Sequence, residues 1–282
     1  MLERFERSWN LAVACMRILQ QDKRLLVFPL MSAISMVLII GSFAVPVIPT
    51  IQTMASRGYP KTLLSLTLVA LFLFYLVQFA IVTFFNTALA EVAMLRFDGA
   101  NATVRDGLRR AWSRLPTILV YSVIAATIGT VLRAIEERVG FISKIVIGLI
   151  GFVWTVATAL VVPLLAAEDV GPLEAIERSV ELIMKSWGED LIGNATMGLV
   201  FGLLEGVAAI VGFALVVPMM FAISMTLGVL TIVGLIVVLC LIMLAHATLN
   251  GIYSAALYRY ADGSPTGSLD GPLLEGAFRA RD

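Results

Sequence analysis

The longest apolar stretch of the chain covers residues 191–258 and contains only two side chains that ionise near neutral pH, Glu205 and His246. A stretch of this length is too long and too apolar for a soluble core and must lie in a bilayer. A membrane-spanning helix needs about 20 residues, so the stretch is long enough for two spans. We expect it to fold back between residues 218 and 228 as a helical hairpin.

Four further apolar runs precede this hairpin, and each is long enough to cross a membrane. The runs predict spans at residues 25–47, 62–96, 115–132 and 145–165. Asp98-Gly99 is expected to stop the second run, and Pro163 and Pro218 are expected to mark helix ends or kinks. The predicted fold class is therefore all-α, a transmembrane bundle of six helices.

Three segments beside the spans place apolar residues three and four positions apart, which forms one apolar stripe on a helix. They cover about residues 2–20, 104–115 and 173–187, and charged residues occupy the opposite face. Such amphipathic helices are typical of the membrane interface. Packing of the stripe beneath the spanning helices explains the first segment equally well, and both explanations stay open.

The three amphipathic segments share a motif, and each precedes a pair of spans. The motifs are Phe5-Glu6-Arg7-Ser8-Trp9, Leu108-Arg109-Arg110-Ala111-Trp112 and Ile176-Glu177-Arg178-Ser179-Val180. Asn86 and Asn250 extend the pattern, since each lies 12 residues before an Asp-Gly pair, although the middle unit lacks this Asn. We predict one membrane domain with an internal repeat. Its units are about residues 1–98, 99–170 and 171–263, followed by a polar tail at 264–282.

Composition supports the membrane class and adds an orientation. Hydrophobic residues make up 60% of the chain and charged residues 14%, against roughly 25% charged in soluble proteins. The net charge of zero argues against nucleic acid as a partner, because phosphate binding needs a basic surface. Of the 20 Lys and Arg, 15 lie in the terminal segments and the links that contain the amphipathic helices. The positive-inside rule therefore predicts that both termini and all three of these helices are cytoplasmic.

The intramembrane polar residues are the first candidates for chemistry. An isolated ionised carboxylate is costly in hydrocarbon, so Glu205 is predicted to pair with His246, the only histidine. Such a pair could relay protons or bind a cation, but simple pairing between helices is the favoured explanation. Asn86, Glu91 and Asn250 lie nearer the cytoplasmic side and could enlarge a polar cluster. Hydrogen bonding between helices is the favoured explanation for the two Asn residues.

A second candidate feature is a row of small residues at every fourth position of the predicted fifth span. Asn194, Gly198, Gly202 and Gly206 have the spacing that lets two helices approach closely. The contact could be within the chain or between subunits, and packing within the chain is the commoner case.

Arginines at matching positions of the amphipathic helices are candidates for binding lipid headgroups. Arg7, Arg110 and Arg178 could each contact an anionic headgroup. Local pairing with a carboxylate four residues earlier is the default explanation. The local partners would be Glu3, Asp106 and Glu174.

Short motifs distributed along nearly the whole chain carry a family resemblance. They are Phe5 to Trp9, Asp22-Lys23, Phe28-Pro29, Phe85-Asn86, Trp112-Ser113-Arg114-Leu115, Glu136-Glu137-Arg138, Arg178-Ser179 and Ala277-Phe278-Arg279. Together they resemble a family of uncharacterised prokaryotic integral membrane proteins. More distantly, the helix around Arg178-Ser179 is similar to those in the membrane domain of some glycerophosphodiester phosphodiesterases. The resemblance implies a prokaryotic cytoplasmic (inner) membrane location and no known activity, and no phosphodiesterase segment occurs in the chain.

No motif for a nucleophile, a phosphate-binding loop or a zinc site occurs in the sequence, and Cys15 and Cys240 lack metal-ligand spacing. We therefore expect a non-enzymatic membrane protein without a cofactor or a metal, with a lipid-engaging or scaffolding role. Membrane lipids are the expected partners, and a homo-oligomer or a membrane-protein partner stays open. The alternative is a small proton- or cation-coupled transporter or channel that uses Glu205 and His246.

Overall fold

The structure, a computed structural model, describes five parts of the chain, which form helices joined by short turns and contain no strand. These parts are residues 15–20, 22–57, 61–136, 139–218 and 224–263. Most of the predicted N-terminal amphipathic helix, including Arg7, lies outside them, as does the predicted tail. A short 3-10 helix at Lys23–Leu26 leads into eight α-helices. These are α1 Val27–Arg57, α2 Lys61–Phe97, α3 Val104–Ser113, α4 Leu115–Glu136, α5 Phe141–Ala157, α6 Val161–Ala167, α7 Pro172–Pro218 and α8 Met225–Asp262.

Five helical segments of the described chain are long and apolar enough to cross a membrane. They are Lys23–Val45, Val69–Phe97, Leu115–Glu136, Ser143–Ala167 and Met225–Asp262. Five of the six predicted spans therefore have a counterpart. The predicted fifth span lies in α7, whose described apolar part, Phe201–Ala214, is shorter than a full span.

Helix α7 joins two elements that were predicted to be separate. The predicted third amphipathic helix and the fifth span form one continuous helix of 47 residues, Pro172–Pro218. No proline lies between those two residues, so nothing removes a backbone donor along the helix. The helix ends at Pro218 and α8 begins at Met225, which confirms the predicted position of the hairpin.

The predicted fourth span is interrupted. Helix α5 ends at Ala157 and α6 begins at Val161, so the polypeptide leaves the helical path over three residues. Pro163 lies in the first turn of α6, where it has no N–H to donate to the preceding turn. The expectation that Pro163 marks a helix break is confirmed.

Buried side chains concentrate at one end of the bundle, which we call the α3 end. Helix α2 contacts α1, α3, α4, α6 and α8. Its buried residues lie mostly between 80 and 97, and they pack with buried residues of α6 and α8. Small side chains such as Ala88 and Ala93 let the neighbouring helices approach this half of α2. Along the other half of the bundle, large apolar side chains such as Val37 are exposed, as expected of a surface that faces lipid.

Two glycines end the long helices of the core. Gly99 follows α2 and Gly263 follows α8, with φ angles of 75° and 74°. Only glycine adopts this left-handed conformation without steric cost, and it is the usual residue just past a helix end. The predicted stop at Asp98-Gly99 is confirmed. The internal repeat, to which the two similar ends belong, stays a prediction.

Helix α3 packs closely against α2 through a glycine. A Cβ atom added at Gly107 would meet the carbonyl oxygen of Ala88 and would lie 2.7 Å from the Val92 Cγ2 atom. The start of α3 has a capping box, in which Asp106 accepts hydrogen bonds from the hydroxyl and the N–H of Thr103 at 2.7 and 3.0 Å. These bonds hold the pKa of the Asp106 carboxyl below its usual value.

Substitution of Gly107 by Ala is expected to destabilise the protein by about 1–3 kcal/mol, because the added methyl group overpacks the contact between α3 and α2. The measurement is thermal unfolding of the purified protein in detergent. Gly129→Ala in α4 is the matched control, since its Cβ would meet no atom within 4 Å. Equal stability of the two variants would contradict the packing described here.

Candidate functional site

The two ionisable residues of the predicted hairpin are in contact. The Nδ1 atom of His246 on α8 lies 3.3 Å from the Oε1 atom of Glu205 on α7. The imidazole ring also stacks on the ring of Phe201, with centroids 4.6 Å apart and planes at 5°. Phe201 and Glu205 are four residues apart on α7 and so lie on one face of this helix, where one stacks on the imidazole ring and the other contacts its Nδ1 atom. The predicted pairing of Glu205 with His246 is therefore present, and the contact with Phe201 is an additional one that no sequence signal indicated.

The environment of this pair is partly open. The His246 and Glu205 side chains are 30% and 27% exposed. Neither residue lines the cavity at Glu91 or the cavity between Asp22 and Arg96. A carboxylate at Nδ1 favours the tautomer with the proton on that nitrogen, which leaves Nε2 as an acceptor. The Glu205 carboxylate and the His246 imidazole therefore join α7 to α8 by a polar contact.

The other predicted intramembrane polar residues do not join this pair. Glu91 on α2 lines a cavity near the end of α8, together with Tyr258 and Arg259. Asn86 is partly buried and Asn250 is exposed, and neither lines that cavity. The predicted enlargement of one polar cluster by these residues is therefore not seen in the described chain.

The interruption between α5 and α6 is closed by side chains from α7 and α8. The buried N–H of Leu160 donates a hydrogen bond to the Ser179 hydroxyl at 3.2 Å. The Ser254 hydroxyl donates to the carbonyl oxygen of Ala159, also at 3.2 Å. Backbone groups freed by a helix break are costly in an apolar environment unless other groups bond to them. These two serines therefore supply what the break requires.

The C-terminal end of α6 is bonded to two arginines of the α3 region. Arg110 donates from Nε to the carbonyl oxygen of Ala166 at 2.6 Å and from a terminal nitrogen to that of Ala167 at 3.1 Å. Arg114 donates to the carbonyl oxygen of Glu168. Cations at a helix C-terminus also interact favourably with the helix dipole. The two arginines thus attach α6 to the α3 end of the bundle.

The Glu168 carboxylate connects α6 to α7 and α8. Its Oε1 atom accepts a hydrogen bond from the Tyr258 hydroxyl at 2.9 Å and lies 3.6 Å from Arg178 Nε. Arg178 also lies 3.4 Å from Asp262 and 3.7 Å from Glu181. The Glu168 carboxylate, together with these two acids, raises the pKa of the Arg178 guanidinium. Arg178 therefore stays charged and joins three helices.

These contacts change the assignment of the predicted headgroup arginines. Arg7 lies outside the described residues. Arg110 and Arg178 bind groups of the protein, and their partners differ from Asp106 and Glu174, the local carboxylates that were the default explanation. The predicted pairing with a carboxylate four residues earlier was therefore wrong for Arg110 and Arg178. The packing of the helices brings groups from distant parts of the chain closer to these guanidinium groups than the predicted carboxylates are.

Two other arginines of α3, which were not among the predicted headgroup contacts, remain exposed. Arg105 and Arg109 are exposed, the Arg109 side chain by 81%. Trp112, three residues later on the same face, is 69% exposed and contacts the Phe84 ring edge-on, with centroids 6.3 Å apart. Basic and tryptophan side chains are typical of membrane interfaces. The small residues Gly107 and Ala111, four positions apart, form the buried face of α3. Their spacing was the sequence signal that could have identified the opposite face as the exposed one.

The predicted row of small residues has open space at Gly202 and Gly206. The side chain of Asn194 and the surroundings of Gly198 fall outside the described part. A Cβ atom at Gly202 or Gly206 would meet no atom within 4 Å. The close contact between α7 and α8 lies further along, where a Cβ at Gly212 would meet the Leu235 side chain. The described chain therefore does not use Gly202 and Gly206 for packing.

The two cysteines, which are distant in the sequence, also lie in different environments. Cys15 is fully buried, and burial raises the pKa of its thiol to about 12. Cys240 is exposed on α8, and both are free thiols. Among the residues that the structure describes, no group of three His, Cys, Asp or Glu side chains is arranged to hold a metal ion.

Comparison with known proteins gives a family but no activity. Residues 65–268, well over half of the chain, match the model of a family described as "Family of unknown function (DUF6159)". No curated protein matches the chain.

Ser179→Ala is expected to destabilise the protein by about 1–3 kcal/mol, because it leaves the buried N–H of Leu160 without a partner. Thermal unfolding in detergent measures the change. Ser35→Ala is the control, since the Ser35 hydroxyl bonds only to the carbonyl of Met31 in its own helix. A Ser179→Ala variant as stable as the control would show that the break does not depend on this bond.

Proposed function

The chain belongs to the family described as "Family of unknown function (DUF6159)", and we propose that it is a non-enzymatic protein of the cytoplasmic membrane with a lipid-engaging role. The proposal includes six spans, with residues 191–217 of α7 as the fifth of them, and places the α3 end at the cytoplasmic surface. The positive-inside rule supports this orientation, because Arg105, Arg109 and Arg114 all belong to the link that forms the α3 end.

The exposed face of α3 is the single observation that carries the proposal. Arg105, Arg109 and Trp112 follow one another at steps of four and three residues, so they share one side of the helix. The two cations can attract anionic headgroups, each contributing about 1 kcal/mol near the surface. The indole ring can lie at the level of the headgroups beside them.

The attachment of α3 supports a fixed binding geometry. Gly107 holds the helix against α2, and Arg110 holds it against the end of α6. A lipid bound to the exposed face would therefore meet side chains on a rigid helix, which lowers the entropic cost of binding. Met184 on α7 is 74% exposed and adds apolar surface near the same end.

Transport of protons or cations is the second candidate, and the contact of Glu205 with His246 and Phe201 is the observation in its favour. A transport site must be reached by water from at least one side of the membrane. The cavity at Glu91 and the cavity between Asp22 and Arg96 do not include this pair. A structural contact between α7 and α8 is the simpler explanation of the pair.

Reversal of two charges on α3, Arg105→Glu with Arg109→Glu, is expected to lower the retention of phosphatidylglycerol about thirtyfold or more. Two headgroup contacts of about 1 kcal/mol each would be replaced by repulsion. Native mass spectrometry of the purified protein measures the retained lipid. The control reverses Arg133 and Lys144, two exposed cations near the other end of α4. Equal retention by both variants and the wild type would remove the support for the proposal.

Proton flux into liposomes distinguishes the second candidate. We expect neither the wild type nor Glu205→Gln to conduct more protons than protein-free liposomes, because the contact of Glu205 with His246 is expected to be structural. Glutamine keeps the size and the hydrogen bonding of this residue and removes only its titratable group. A pH-sensitive dye inside the vesicles reports the flux. Flux in the wild type that Glu205→Gln abolishes would establish transport and make Glu205 a site residue.

A further inference from the structure

A cavity of about 290 Å³ lies at the α3 end, where α2, α6 and α8 meet. It is lined by Glu91, Met94, Leu95, Ala167, Tyr258 and Arg259. Sites for drug-sized ligands have volumes of about 300–1,000 Å³, so this cavity suits a group of headgroup size and is too small for a whole lipid. Its position near the ends of α2 and α8 places it at the membrane boundary rather than at mid-depth.

Glu91 presents a carboxylate to this cavity without a partner of its own. Among the described residues it has no hydrogen bond and no ion pair, whereas the nearby Glu168 and Asp98 are both paired. Arg110 and Arg259 attract it only from a distance. A partly buried carboxylate favours a cationic partner that can also donate hydrogen bonds. A primary ammonium group has three N–H donors and meets both requirements.

The opposite charge in the cavity comes from Arg259. Its guanidinium has five N–H donors, and one terminal nitrogen donates to Asp98. The remaining donors can bind a phosphate oxygen. Tyr258 lines the same cavity while its hydroxyl is bonded to Glu168, and an aromatic face attracts a cation. The cavity therefore combines one site for a cation and one for an oxyanion.

We propose that this cavity binds a phosphoethanolamine group, with the ammonium on Glu91 and the phosphate on Arg259. A lone anion would be repelled by Glu91 and a lone cation by Arg259, so the pair of charges selects a zwitterion. The group can belong to the headgroup of phosphatidylethanolamine or to a free phosphoethanolamine. The proposal rests on the lipid-engaging role but uses a different surface from the arginine face of α3.

Native mass spectrometry of the full chain in detergent tests the proposal with three lipids and one soluble compound. These are phosphatidylethanolamine, phosphatidylcholine, phosphatidylglycerol and phosphoethanolamine. The wild type is expected to retain phosphatidylethanolamine over phosphatidylcholine, because the choline nitrogen has no N–H to donate to Glu91. Glu91→Gln is expected to lower this retention about tenfold, the loss typical of one charge-assisted hydrogen bond. Glu136→Gln, which removes an exposed carboxylate at the far end of α4, is the control.

A second variant keeps the test valid should Glu91→Gln fail to fold. Ala167→Phe fills the cavity with an aromatic ring and leaves the charges and the Ala167 carbonyl in place. It too is expected to lose phosphatidylethanolamine. Unchanged retention by a folded variant of either kind would overturn the proposal.

The two lipid proposals fail separately in this experiment. Loss of phosphatidylglycerol retention in the α3 variant together with unchanged phosphatidylethanolamine retention in Glu91→Gln would overturn only the cavity assignment. The converse result would overturn only the α3 assignment. Retention of soluble phosphoethanolamine without the lipid would support the cavity chemistry and identify the free compound as its source.

Discussion

A helix that stops within an apolar bundle must have its free backbone groups bonded by the protein itself, and the break between α5 and α6 depends on this constraint. The Leu160 N–H reaches Ser179 on α7, and the Ala159 carbonyl reaches Ser254 on α8. Both distant helices must therefore be in place for α6 to form where it does. The break between α5 and α6 is therefore stabilised by contacts with α7 and α8 and is not a local irregularity of one span.

The end of α6 extends the same dependence to α3. Arg110 and Arg114 bond its last carbonyl groups, and the Glu168 carboxylate binds Tyr258 and Arg178. Arginines at the edge of a membrane protein are commonly assigned to headgroups, but the geometry gives these a structural role. That role leaves the opposite face of α3, with Arg105 and Arg109, exposed.

Local signals in the sequence were sufficient for much of this architecture. Length and apolarity predicted the five described segments that are able to cross a membrane. Pro218 predicted the position of the hairpin, and Gly99 predicted the end of α2. The contact of Glu205 with His246 was predictable because residues 191–258 contain one carboxylate and the only imidazole of the chain. The partners of Arg110 were not predictable, because they lie 56 and 57 residues away and depend on how helices pack. The continuity of α7 was missed for a different reason, since a change from amphipathic to apolar sequence resembles an element boundary although no residue interrupts the helix.

The concentration of buried side chains at the α3 end has a consequence for the rest of the bundle. Toward the other end, side chains such as Val37 and Val45 have few protein neighbours, and acyl chains must supply the contacts that a soluble protein obtains from its own core. The surrounding acyl chains therefore contribute to the stability of that half of the bundle. We expect a change in hydrocarbon thickness to affect this exposed half of α1 more than the α3 end, where hydrogen bonds and buried side chains join the helices.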